Sequence, residues 1–479
     1  MHATTRVVLS SMLTVLSATC VQAAGSKVIS GDPYANPDAQ HATQVEPDTF
    51  AFGSTVVAVF QTGRFFDGGS TNIGFSTSQD KGKTWKRGFL PAITVNSTPA
   101  GSYDRVSDPT VSYDAKHKVW MVSSLAIKDG SGKAVLTSRS TDGGLTWSDP
   151  VTVSTTNGFY DKNWIVCDNV ESSPHYGNCY TTWDDVTGND LLLSSTSSDG
   201  GKTWGSKKTT ADNAHGLGGQ PVTQPNGNVV VPLLGLSGQI LSYRSTNGGA
   251  TWESTVVVAN INDHEVAGEL RTETLPSAEV DGAGKVYVVW QDCRFRSGCA
   301  SNDIVMSTST DGTSWTKPVR IPIDPTSSTV DHFIPGIAVD KGSSGNTARL
   351  GLTYYFYPNA NCTIATCQLS VGFVSSVDGG QTWTAPVTLA GPMKLTDIAD
   401  TSQGSMVGDY ISTSFAGAKA VSVYGVGKAK SGSKFDQAMY ASRTKVSAQQ
   451  KHPARVVDDP VLSSPGPAMP RRGTLPVFQ

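Results

Sequence analysis

The chain has 479 residues, a net charge of −3 and only 16% charged residues, so no basic face marks it as a nucleic-acid binder. With 49 glycines and an apolar fraction of 38%, it suits many short strands joined by tight turns better than packed helices. Beyond the leader, no apolar run approaches the roughly 18 residues needed to span a membrane.

Residues 1–24 read as a secretory signal. His2 and Arg6 precede an apolar stretch from Val7 to Leu16, and Val21-Gln22-Ala23 offers a small-residue cleavage site. Cys20 lies inside this leader, and Thr19 before it makes a poor lipoprotein site, so the expected product is released, secreted or periplasmic. Of seven cysteines, six then remain in the mature chain. Six allow about 15 pairings, and spacing alone does not choose among them. Local proximity favours Cys167 with Cys179, Cys293 with Cys299 and Cys362 with Cys367, each stapling one hairpin or loop. None has zinc-site spacing.

Residues 25–446 are built on a repeat. Six segments share the pattern Ser-x-Asp-x-Gly-x-Thr-Trp: Ser78 to Trp85, Ser140 to Trp147, Ser197 to Trp204, Ser245 to Trp252, Ser309 to Trp315 and Ser376 to Trp383. Asn247 replaces the aspartate in the fourth, and the fifth is one residue shorter. An aspartate can accept N–H bonds from the residues that follow and so close a tight turn. Glycine supplies positive φ, and tryptophan offers a wedge to a neighbouring unit. The segments recur about 48 to 68 residues apart, a period typical of repeat architectures.

Upstream of each lies an apolar strand, as at Pro109 to Asp114, Pro276 to Asp281 and Pro335 to Asp340, with looser versions at Pro47, Asn163 and Pro221. A seventh copy runs from Asp409 to Phe415. A second strand follows (Lys118 to Leu125, Lys285 to Trp290), then a third (Ala134 to Ser140), and a fourth beginning at the tryptophan (Trp147 to Val153). The reading is an all-β fold, a β-propeller of four-stranded antiparallel blades. Seven blades is the preferred count, with six plus a hairpin as the alternative. The last blade would take its fourth strand from Lys27 to Ser30 and so remove open edges. Residues 447–479, with Pro453, Pro460, Pro465 and Pro470, read as a disordered tail.

These Asp-box repeats resemble those of the sialidase-like superfamily, the BNR-repeat proteins, over about Glu46 to Lys445. The resemblance implies a propeller and a glycan or polysaccharide substrate, and it covers sialidases, other glycosidases and propellers that only bind. Exo-sialidases carry Arg-Ile-Pro ahead of the first box. Here Arg320-Ile321-Pro322 follows the fifth, and nothing similar precedes Trp85.

In an antiparallel meander the boxes share one face, and the links between units lie on the other, the natural place for a ligand. Among the ionisable residues there, Arg64, Arg105, Arg271 and Arg294 are candidates to grip a carboxylate. Asp161 or Asp108 is the candidate acid/base, Tyr410 a nucleophile beside Asp409, and Glu273 its partner. The expected activity is a glycoside hydrolase on an acidic or complex glycan. The alternatives are a lectin- or adhesin-like propeller, and a polysaccharide lyase with His215 or His332 as base. Histidine and acid motifs for a metal fail: His264-Glu265-Val266-Ala267-Gly268 lacks the second histidine of a zinc site. No cofactor, metal or nucleic-acid partner is expected, and the chain is expected to be a monomer.

Overall fold

The computed structural model describes residues 25–447, with two further short strands at 21–22 and 452–453. Apart from those two strands, the leader and the tail lie outside the described residues. What is described is all-β, its helical content being four single 3₁₀ turns. No helix among the described residues is long and apolar enough to cross a membrane.

The strands fall into seven successive antiparallel units. The first comprises Gln40–Phe52, Thr55–Arg64, Ser70–Ser78 and Lys86–Phe89, and the second Arg105–Asp114, Val119–Lys128, Ser131–Ser140 and Val151–Thr155. The third is Tyr160–Cys167, Cys179–Asp185 and Leu191–Ser197, its outer position taken by a bridge from Ser194 to Lys208. The fourth opens with Val222–Thr223 and continues through Val229–Gly235, Gln239–Ser245 and Val256–Asn260. The fifth is Ser277–Val280, Val286–Asp292, Asp303–Ser309 and Val319–Arg320. The sixth is Asp331–Val339, Leu350–Tyr357, Gln368–Ser376 and Val387–Lys394. The seventh joins Ser412–Ala416, Lys419–Ser431 and Lys434–Lys445 to Lys27–Val28 from the other end of the chain.

Each Ser-x-Asp turn closes as its chemistry requires. Ser78 Oγ donates to Asp80 Oδ1 at 2.8 Å, and the Lys83 and Thr84 N–H groups donate to the same oxygen at 2.9 and 2.8 Å. Asp142 and Asp199 repeat this pattern. Slight burial would raise these carboxyls, but bonds to the ionised form prevail and hold Asp142 and Asp199 down to about 2. Asn247 keeps the acceptor role towards the Thr251 N–H and turns its amide onto the Thr251 hydroxyl.

Every tryptophan of these turns leans on the preceding unit. Trp147 meets Phe75 edge-on at 5.8 Å, Trp204 Nε1 donates to Thr137 Oγ1, and Trp252 meets Tyr180. Trp315 packs with Val230, Trp383 with Tyr287 and Met306, and Trp85, of the first unit, with Val423 and Met439 of the seventh. The wedge role displaces the expected fourth strand: in the second unit it begins at Val151, not at Trp147, because the turn holds the tryptophan side chain against its neighbour.

The first strands also pack side by side in chain order. Gln40–Phe52 lies on Arg105–Asp114, that on Tyr160–Cys167, and so on through Val222–Thr223, Ser277–Val280, Asp331–Val339 and Ser412–Ala416, which returns to Gln40–Phe52.

The N-terminal segment is bound tightly to the seventh unit. The Ile29 N–H donates to Met439 O at 2.9 Å, and Ser30 Oγ accepts from Met439 N and donates to Gln44. Ile29 is 2% exposed between Phe60, Val423 and Met439. Truncating it to alanine should cost about 2–5 kcal/mol, read as a shifted urea midpoint at unchanged slope. A loss below about 0.5 kcal/mol would mean that this segment is not part of the core.

Candidate active site at the end opposite the turns

A cavity takes lining residues from the first strand of every unit: Asp48, Val111, Ile165, Val222, Ser277, Ile337 and Ser412. Because the Ser-x-Asp turns join third strands to fourth strands, the beginnings of the first strands lie at the opposite end of the sheets. There the cavity is bounded by Asp108, Lys162, Asp409 and Tyr410.

The backbone at this end is strained in a repeated way. Glu46, Asp108, Lys162 and Ile334 have φ between 48 and 55°. Each sits where its strand slips register against the second strand, between Val45 and Asp48, Ser107 and Thr110, Asp161 and Trp164, and Phe333 and Gly336. Left-handed conformations are uncommon for side chains other than glycine. Three of the four precede a proline (Pro47, Pro109, Pro335), which has no N–H to give the ladder. Each bulge re-aims a side chain, and strain of this kind, about 1–3 kcal/mol per residue, concentrates at functional sites.

The side chains form one buried charged cluster drawn from five units. Asp409 is 2% exposed and takes Arg271 in a fork, Nε on Oδ1 at 2.8 Å and Nη2 on Oδ2, while Lys162 Nζ also donates to Oδ2. Burial alone would raise the Asp409 carboxyl; Arg271 and Lys162 outweigh it and hold it well below the usual carboxylate range. The Lys162 N–H donates both to Asp108 Oδ2 at 3.1 Å and to Asp161 Oδ1 at 3.0 Å, so the two carboxyls meet over one donor. Burial first, and Asp108 second, push Asp161 up to about 7. Asp184 stands opposite Asp161 across the strand pair; burial and Asp161 raise it well above normal. Glu46 accepts from Gln61 and is raised by burial and by Asp108. Tyr410 donates to Pro109 O at 3.4 Å and meets Trp164 edge-on at 5.0 Å; burial and then Glu46 raise its hydroxyl.

Of the residues singled out in sequence, the fold brings Asp108, Asp161, Tyr410, Glu273, Arg64 and Arg271 into this cluster. Glu273 faces Lys162 and Arg271, with its Oε2 buried and without a hydrogen bond, and Glu46 is the carboxyl whose charge bears most on Tyr410. Arg64 donates to Gly69 O at 2.8 Å and to Met406 Sδ. Two arginines lie elsewhere: Arg105 is bound to Asp67 at 2.6 Å over the Phe65 ring, and Arg294 forks onto Asp292. His215 is exposed, bonded to Asn189 O, and His332 is buried beside Asp324. Glu46, Lys162 and Asp184 carry more of the site than sequence reasoning assigned to them; the repeated acid-proline pairs Glu46-Pro47 and Asp108-Pro109 relate two of the bulges but do not reveal their left-handed backbone.

Arg320 of Arg320-Ile321-Pro322 has a structural task. With Arg296 it is bound to Asp303 and Asp324, which together with His332 form the one described cluster of metal-ligand spacing. Two guanidinium groups already neutralise that cluster. The cysteines pair as their proximity favoured: Cys167–Cys179, Cys293–Cys299 and Cys362–Cys367. The last two staple loops that join second to third strands, at the same end as the charged cluster.

The buried carboxyls set a pH dependence. Asp48, Asp161 and Asp331 rise to about 7 on burial, against about 3.9 in an unfolded chain. Between about pH 4 and 7 the native state therefore binds more protons, and stability falls as pH rises through that window. Depressed groups such as Asp409 and Asp142 act oppositely: their contribution is present above about 3.9 and is lost as pH falls below it. The melting temperature should peak near pH 4–5 and drop by pH 8; a curve that rises from pH 5 to 8 would contradict the burial of these acids.

Residues 175–390 match the family model of the BNR repeat-like domain. A sialidase of Bacteroides fragilis is 31% identical over an alignment of 111 residues that covers 19% of this chain and 20% of that protein, so the match spans a fifth of the relative's length. Similar solved structures include the Hadza microbial sialidase Hz136, with 15% identity, TM-score 0.43, and coverage of 86% of this chain and 67% of that one. A protein of unknown function from Dyadobacter fermentans has 17% identity, TM-score 0.45, and coverage of 75% and 99%. With its repeated Ser-x-Asp turns, the chain is similar over residues 175–390 to the BNR repeat-like domain.

Proposed function

We propose that the seven units close radially around the cavity as a seven-bladed β-propeller over residues 25–446, and that the chain is a secreted glycoside hydrolase acting at the end opposite the Ser-x-Asp turns. The ring is supported by the return of the seventh first strand to the first, by Trp85 packing on the seventh unit, and by Lys27–Val28 completing it. Secretion is supported by the three disulfides, which suit an oxidising compartment.

The observation that carries the chemistry is the pairing of Asp108 and Asp161 over the Lys162 N–H, with a proton retained at neutral pH. Asp161 gives that proton to the leaving glycosidic oxygen while Asp108 takes one from the Tyr410 hydroxyl as it bonds the anomeric carbon; water, deprotonated by Asp161, then displaces Tyr410, which takes its proton back from Asp108. Lys162 and Arg271, fixed by Asp409, hold positive charge beside the pair. A glycan-binding propeller without turnover is the second reading, favoured by the carboxylate partners already held by Arg105, Arg271 and Arg294.

The full chain, purified and offered a panel of aryl glycosides and oligosaccharides, is expected to release reducing sugar, with kcat/KM falling above about pH 7 as Asp161 ionises. Glycan binding with no release from any of them would leave the binding reading.

A further inference from the structure

Of the arginines in the cluster and its surroundings, Arg271, Arg105, Arg294 and Arg296 already hold a carboxylate and do not offer a free charge to an acidic sugar. The Asp409 carboxylate already makes on Arg271 the two-pronged contact that a substrate carboxylate would make, and takes Lys162 as a third donor. Its side chain is fully buried and is held by a first strand that begins beside it. Arg105, Arg294 and Arg296 each carry an aspartate of their own, Asp67, Asp292 and Asp303. Arg64, 3% exposed, donates through Nη1 to Gly69 O and through Nε to Met406 Sδ. What remains of the cluster, apart from Arg64, is acidic: Glu46, Asp108, Asp161, Asp184 and Glu273.

We infer that the sugar unit received at this end is uncharged, Asp409 being a built-in carboxylate that fills the place an acidic sugar would need. This rests on the reading of the cluster as a glycan site, and it narrows the substrate to neutral glycosides. An incoming carboxylate would have to displace Asp409 from its buried pairing with Arg271 and Lys162, which is unfavourable. A neutral sugar meets a matched surface. Its hydroxyls both donate and accept, and the cluster offers acceptors in its carboxylates and donors in those acids that burial keeps protonated, Asp161 among them. Trp164, lining the cavity against Tyr410, supplies an apolar edge for the sugar C–H face.

The test compares matched pairs on the full chain by calorimetry or saturation-transfer NMR at pH 6. Methyl β-glucoside is set against methyl β-glucuronide, and lactose against 3′-sialyllactose. The neutral member of each pair is expected to bind at least tenfold more tightly. Asp409→Asn frees the charges of Arg271 and Lys162 and is expected to raise affinity for the acidic member at least tenfold. Preference of the parent chain for the acidic members overturns the inference, as does a folded Asp409→Asn with unchanged acid affinity, or binding of neither pair by either protein. If that variant does not fold, the comparison on the parent chain decides alone. Because the readout is binding, a chain that prefers neutral sugars yet never cleaves them would sink hydrolysis and keep this inference. One that releases only acidic sugars would do the reverse.

Discussion

Asp161→Asn is expected to lower any turnover by a factor of about 10²–10⁴ and to leave the protein folded, with a melting temperature at pH 8 equal to or above that of the parent chain. The two halves of this expectation have one cause. Burial and the adjacent Asp108 make the ionised form of Asp161 costly, so the carboxyl keeps its proton up to about pH 7. An amide has nearly the same shape and bonds, carries no charge to bury, and cannot give up a proton to a leaving group. In the parent, kcat/KM is expected to fall above about pH 7 as the proton is lost. In the variant, that limb disappears along with the activity. Loss of activity together with loss of the fold would reduce Asp161 to a structural acid. Unchanged turnover would remove it from the mechanism.

Asp409→Ala destabilises the chain by about 3–5 kcal/mol. The side chains of Asp409, Lys162 and Arg271 are 0%, 6% and 14% exposed, and they come from the seventh, third and fifth units. Removing the anion leaves two cations facing each other in a site with little water, each without its main partner. Asp409→Asn keeps hydrogen bonds to both and costs less. The triple replacement Lys162→Met, Arg271→Met, Asp409→Leu removes the charges together and should recover most of the stability that Asp409→Ala loses, since an apolar set avoids desolvating ions. Denaturant midpoints separate these outcomes: a loss below 1 kcal/mol for Asp409→Ala would mean that water reaches the triad and screens it.

Local chemistry made much of this molecule legible in its sequence. The Ser-x-Asp turns were readable because each closes on itself within eight residues, and the bonds of Asp80 to Lys83 and Thr84 need no distant partner. The cysteine pairs were readable for the same reason, being 12, 6 and 5 residues apart. Even the use of Lys27 to Ser30 as an edge strand followed from a unit one strand short. The candidate site was legible only as a set of residues on one face. Asp409 and Arg271 are 138 residues apart, and no local pattern says which of several arginines an aspartate will hold. Glu273 was matched to Tyr410 by position, whereas Glu46 bears on it most, because the bulges at Val45–Asp48 and Ser107–Thr110 turn Glu46 and Asp108 inward. A residue before proline normally reads as extended, so the left-handed turn at these two positions could not be seen from Glu46-Pro47 and Asp108-Pro109 alone.

A crystal structure of the full chain with a bound oligosaccharide tests the central claim most directly. The expected density places a sugar at the cavity end bounded by Asp108, Lys162 and Tyr410, with a glycosidic oxygen within about 3 Å of the Asp161 carboxyl. A sugar seated against the Ser-x-Asp turns or on an outer strand, with Asp108 and Asp161 untouched, would contradict it.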